Sequence, residues 1–127
     1  MATRVSDAPV VVQILRGVLH IEAPRGFHRL SLLGALTIPV AAIESVEVSD
    51  KPVTAVRGWR TGIGMPDLRM GTWRHDGEKD YVAVDVALRG LVITLRDQKY
   101  ARLIVSVDDP ESIQAQILRA QTDSAGS

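Results

Sequence analysis

His75, Asp76, Glu78 and Asp80 crowd into one short stretch. An imidazole among carboxylates is the material of a divalent-metal site or an acid–base pair. The same stretch holds Asp76-Gly77, the dipeptide that a tight hairpin turn prefers, and turn chemistry accounts for these acids without any catalytic duty. The turn reading is preferred. His20, His28 and His75 lie far apart and form neither HxH nor HxxxH spacing. Serine occurs in no Gly-x-Ser-x-Gly elbow, and the absence of cysteine removes thiol nucleophiles, disulfides and Cys-based zinc sites. Gly58, Gly62 and Gly64 match no phosphate-loop spacing. Asp108-Asp109 reads as helix capping. The expectation is therefore no catalytic residue, no metal ligand and no cofactor. A small enzyme working through His75 and its neighbouring carboxylates is kept as an alternative.

A second group is cationic. Arg57, Arg60, Arg69 and Arg74 face only Asp67 in the intervening sequence, with Trp59 and Trp73 interleaved. Guanidinium forks beside indole rings suit an anionic ligand or an acidic partner. The competing reading is a solvated, glycine-rich connection with both rings packed as core. Trp73, inside a strand, is expected to pack. Arg57, Trp59, Arg60 and Arg69 are the candidate binding residues. No row of stacking aromatics accompanies the cations, so nucleic acid is not expected.

The chain bounds these readings. Its 127 residues suit one domain, with an ordered core expected over about 9–121 and short polar tails. Basic and acidic residues balance at a net charge of +0, so no global field draws the protein to nucleic acid or anionic membrane. The basic residues are mostly arginine, scattered along the chain, as codon bias alone would give. The N-terminus lacks the apolar core of a signal peptide. The longest apolar stretch, 30–43, is too short and too interrupted for a span of about 20 residues. A soluble cytoplasmic protein is expected.

The elements that must position these residues are mainly strands. Val10 to Leu15, Val18 to Ala23 and Arg29 to Leu33 read as strands, with turns at Arg16-Gly17 and Pro24-Arg25-Gly26. Ile38 precedes Pro39 and is pushed to extended backbone. Ala41, Ala42 and Ile43 suit a single helical turn. Ile43 to Val48 then alternates, with Ile43, Ser45 and Glu47 opposite Glu44, Val46 and Val48. Asp50 to Gly64 has no clear period and reads as a long connection. Leu68 to Arg74 and Asp80 to Val86 form a hairpin, followed by strands at Leu91 to Leu95 and Tyr100 to Val107. Asp109-Pro110-Glu111 opens a helix as N-cap, first position and first-turn acid. It is expected to end near Gln121 and to bury Ile113, Ile117, Leu118 and Ala120. Short strands with tight turns imply antiparallel pairing in a sandwich or partly open barrel, and the helix covers one end.

With these residues that order resembles a bacterial PH-like domain. The resemblance rests on GTWRHDGEKDYVAV (Gly71 to Val84) and LVITLRDQKYARLIVSVDDPESIQAQI (Leu91 to Ile117), with LTIPVAAIESVEV upstream, and covers about two-thirds of the chain. It implies a mainly β fold, a PH-like roll of two antiparallel sheets capped by an α-helix. It also implies a recognition module, since PH-like domains bind headgroups or peptides, or serve in assembly. The dense basic loop of headgroup binders is missing here: Arg16 stands alone at the first turn and Arg25 at the second.

The reading that follows is a non-enzymatic binding or assembly module. It would act on a protein partner, or on a second copy, through a strand edge or the Arg57–Arg74 surface. A peripheral binder of anionic lipid or another anionic ligand is the alternative, with a membrane surface not favoured.

Overall fold

The computed structural model describes residues 9–22, 35–56, 59–65 and 68–125. The strands are β1 (Val11–Leu15), β2 (Val18–Glu22), β3 (Leu36–Pro39), β4 (Ile43–Ser49), β5 (Trp59–Met65), β6 (Leu68–His75), β7 (Glu78–Asp85), β8 (Gly90–Leu95) and β9 (Arg102–Ser106). A helix, α1 (Pro110–Ala125), follows them. Strands β1-β2-β3 make one sheet, and β4-β8-β9-β7-β6-β5 make a second. The chain is mainly β with one C-terminal helix, as the turn spacing implies. No pairing joins the two sheets among the described residues, and the described strands form no closed barrel. The strand expected at Arg29 to Leu33 and the turn at Pro24-Arg25-Gly26 lie outside the described residues.

Three local expectations are corrected. The first is the pairing, which is not antiparallel throughout. After β7 the short segment 86–89 carries the chain past one strand position, and β9 returns into that slot, parallel to β7 and antiparallel to β8. Gly90 makes the return possible. A Cβ there would lie 1.9 Å from the carbonyl oxygen of Val105.

The second is the long connection. The 3-10 turn Pro52–Ala55 and strand β5 occupy most of 50–64. Strand β5 pairs with β6 along its whole length, from Trp59 opposite Arg74 to Met65 opposite Leu68. Gly62 and Gly64 carry no side chain, so the period-two signal of a strand is absent from the sequence.

The third is the helix. It runs to Ala125, past Gln121, because no Gly or Pro stops it, and the Thr122 hydroxyl donates back to Leu118 O at 3.0 Å. Asp109 does cap it, accepting from Ser112 N at 3.2 Å. Leu118 is 50% exposed and lies off the buried stripe.

A bulge in β4 changes which residues face inward. Ile43 is opposite Leu95 while Ser45 is opposite Thr94, so Glu44 is an extra residue. Past it the alternation shifts phase, and Val46 and Val48 join Ile43 on the core side. Met70, Tyr81, Ala83, Ile93, Leu103 and Val105 fill the space towards Leu19, Ile21, Ile38 and Ile117. The far face of the large sheet has its own cluster of Trp73, Val82, Val84 and Ile104, beneath Val53, Ala55 and Val56. Strand β7 is therefore buried on both faces over Asp80 to Val84, which explains its nearly unbroken apolar run.

Candidate functional site

The hairpin group resolves into a pair and two bystanders. His75 and Asp80 sit on the far face of the large sheet, while Asp76 and Glu78 are exposed at the turn. Asp76 has φ 49° and Gly77 φ 79°, the backbone that the Asp-Gly dipeptide suits. Asp80 is wholly buried. Its Oδ2 accepts from His75 Nε2 at 2.8 Å and from Arg102 Nε and Nη2 at 3.0 and 2.6 Å. Arg102 Nη2 also donates to Ala55 O at 3.0 Å. Asp80 Oδ1 and His75 Nδ1 are buried with no hydrogen-bond partner among the described residues, and His75 Nδ1 stands 3.8 Å from Asp76 Oδ2.

This cluster holds structure in place. Arg102 links the central strands to the 3-10 turn Pro52–Ala55, which lies over the second apolar cluster. Asp80 is sealed from solvent. No group of three or more metal-ligating side chains occurs among the described residues. Arg102 is the member sequence reasoning missed. A lone cation inside the apolar run ARLIVSV was its signal, but its partner is set by the β7–β9 register, which pairs Asp80 with Arg102.

The cationic candidates spread along a ribbon rather than gathering at a point. Arg57 lies outside the described residues. Trp59 and Arg60 belong to β5, in register opposite Arg74 and Trp73. Arg69 is on β6, opposite Gly64 and Val84, and its Nη1 donates to Leu68 O at 3.3 Å. Arg60 and Gly64 are four residues apart, which separates the Arg60 and Arg69 positions by about 13 Å along the strand. Trp73 is 5% exposed and packs against the second apolar cluster, as expected of a strand tryptophan.

The two edges of the large sheet differ. At the β4 edge, α1 supplies amide hooks. Gln114 Nε2 donates to Val46 O at 2.9 Å, and Gln121 Nε2 donates to Val40 O and Ile43 O at 3.0 and 2.9 Å. At the opposite edge, the outer side of β5 pairs with no strand among the described residues. An unpaired edge presents a row of backbone donors and acceptors that another extended segment can complete. No described helix is long and apolar enough to cross a membrane. Comparison with protein-family models, curated proteins and solved structures finds no match for this chain.

Proposed function

We propose that this chain is a protein-binding module of PH-like fold that takes up an extended, acidic segment of a partner along β5. The PH-like reading is supported by two sheets followed by a helix that packs on the first sheet and the β4 edge. One observation carries the binding mode: the β4 edge is covered by the glutamines of α1, while the β5 edge has no described partner. Strand addition supplies affinity through the main chain. The charge of the partner follows from Arg57, Arg60, Arg69 and Arg74, which outnumber the single Asp67 between them. No catalytic step is assigned.

The test starts from affinity purification of the tagged protein from its own host, read by mass spectrometry. Hydrogen exchange then follows the amides of 59–65 with and without the captured partner. Slowed exchange in β5, and loss of capture by Arg60→Glu in a variant that keeps its melting temperature, support the reading. Protection elsewhere with β5 unchanged ends it. Light scattering separates a second copy of the chain from a different protein as the occupant.

A further inference from the structure

His75 and Asp80 each bury one polar atom that has no hydrogen-bond partner among the described residues. Asp80 takes all three of its donors on Oδ2 and none on Oδ1, and the orphan on the ring is His75 Nδ1. Buried polar atoms are paired as a rule, and an exception needs a reason.

The protonation state of the ring supplies one. A carboxylate only accepts, so the 2.8 Å contact with Asp80 Oδ2 places a hydrogen on His75 Nε2. In the neutral ring Nδ1 is then a bare lone pair, on a side chain only 8% exposed. Uptake of a proton turns Nδ1 into a second N–H donor. An acceptor stands ready, because Asp76 Oδ2 lies 3.8 Å away. The Asp76 side chain is 92% exposed, so little packing resists a rotation that closes the gap.

Charge balance points the same way. An imidazolium puts two cations, His75 and Arg102, on the one carboxylate of Asp80. The unused Oδ1 lets Asp80 share itself between them, and Asp76 is the second anion. The other charged neighbours are placed less well. Glu78 stands opposite His75 in the β6–β7 register but is exposed at the turn. Arg74 and Lys79, the next pair along, alternate to the other face of the sheet. Strand β5 begins at Trp59, opposite Arg74, and the 3-10 turn Pro52–Ala55 has no ionisable side chain. On β8 the register neighbour of Arg102 is Thr94.

We infer that His75 and Asp76 form an acid-operated latch, in which protonation of the His75 ring draws the Asp76 carboxylate onto Nδ1 and ties the exposed hairpin turn to the buried Asp80–Arg102 pair. When the ring is neutral, Asp76 is released and the turn is held by its backbone alone. The latch works while His75 is protonated and Asp76 is still ionised. Its contribution to stability is present below the His75 titration and is lost as pH rises through it. It sits at the turn end of β6 and β7 and does not depend on the reading of β5.

The test follows the imidazole resonances of the full chain against pH at low salt, in the parent, Asp76→Asn and Glu78→Gln. Asn-Gly suits the turn as well as Asp-Gly, so Asp76→Asn removes the charge and keeps the backbone. Glu78→Gln removes a neighbouring charge without touching the contact. His75 is expected to take up its proton at lower pH in Asp76→Asn than in the parent, with a smaller shift in Glu78→Gln. The difference in urea midpoint between the parent and Asp76→Asn should move in favour of the parent as pH falls through the His75 titration. The proposal is overturned if the ring titrates alike in the parent and Asp76→Asn, or stays neutral until the chain unfolds. It is equally overturned if Glu78→Gln moves the titration as far, which is a general effect of surface charge. Amide exchange at 53–56 that quickens in acid beyond its intrinsic pH dependence also overturns it, because the imidazolium would then be breaking the cluster that holds Ala55 O.

Discussion

Arg102 stands beside Asp80 across the parallel β7–β9 pairing, and its Nε and Nη2 both donate to one carboxylate oxygen, Oδ2. The pair is possible only because β9 enters the sheet between β8 and β7. Had β8 paired directly with β7, Asp80 would face a different strand. Topology therefore decides whether the buried carboxylate has a partner, and the partner in turn holds Ala55 and the 3-10 turn over the second core.

Removing one member of this pair strands the other. Arg102→Ala leaves Asp80 buried with His75 alone, and a loss of about 3–5 kcal/mol is expected in urea or guanidinium unfolding. Replacing both residues by leucine is expected to recover part of that loss, since no buried charge is left unpaired, although His75 Nε2 and Ala55 O lose their partners. A double variant no better than Arg102→Ala would mean that the charges are needed for the fold itself.

Gly90 gives a purely steric prediction. It is buried at the start of β8, and an added Cβ meets backbone atoms rather than a movable side chain: Val105 O at 1.9 Å and Ser106 Cα at 2.8 Å. Gly90→Ala must push β8 from β9. A destabilisation of at least about 3 kcal/mol is expected, with faster amide exchange in 102–106 than in 18–22.

The covered edge predicts a different failure. Gln121→Met preserves side-chain length but withdraws the donor from Val40 O and Ile43 O. The cost is about 1–3 kcal/mol for carbonyls left without a partner. Light scattering should also detect more association than in the parent, because the start of the β4 edge loses its cover while Gln114 still holds Val46 O. A variant that is destabilised yet monomeric would assign the glutamine to helix docking alone.

The legible part of the fold was what local chemistry controls. The Asp76-Gly77 turn, the Asp109 cap and the apolar positions of β7 and β9 are set by neighbours in sequence. What the sequence hid depends on distant strands. The β7–β9 pairing has no local signal. Strand β5 is silent because Gly62 and Gly64 erase its alternation. Nothing local to Gln114 or Gln121 signals the carbonyls of Val46, Val40 and Ile43 that they bind. The candidate residues divide in the same way. Trp73 could be placed in the core from its strand, whereas the role of Asp80 required Arg102.

Acid should loosen the start of the helix in a defined direction. Arg89 Nη1 and Nη2 donate to the two oxygens of Glu111 at 2.8 and 2.6 Å, and its Nε donates to Asp50 at 2.9 Å. Hydrogen bonding to Arg89 holds the Glu111 carboxyl below the ordinary glutamate range. A lowered value in the folded state means that the unfolded chain takes up the proton first. The contribution to stability is therefore whole above the unfolded value and is lost as pH falls through the folded one. The pair is exposed, so the effect is small and sensitive to salt. Urea midpoints of the parent and of Glu111→Gln should differ at neutral pH and converge as pH falls through the folded-state value of Glu111. A gap that persists in acid would show that Glu111 stabilises the helix by something other than its charge.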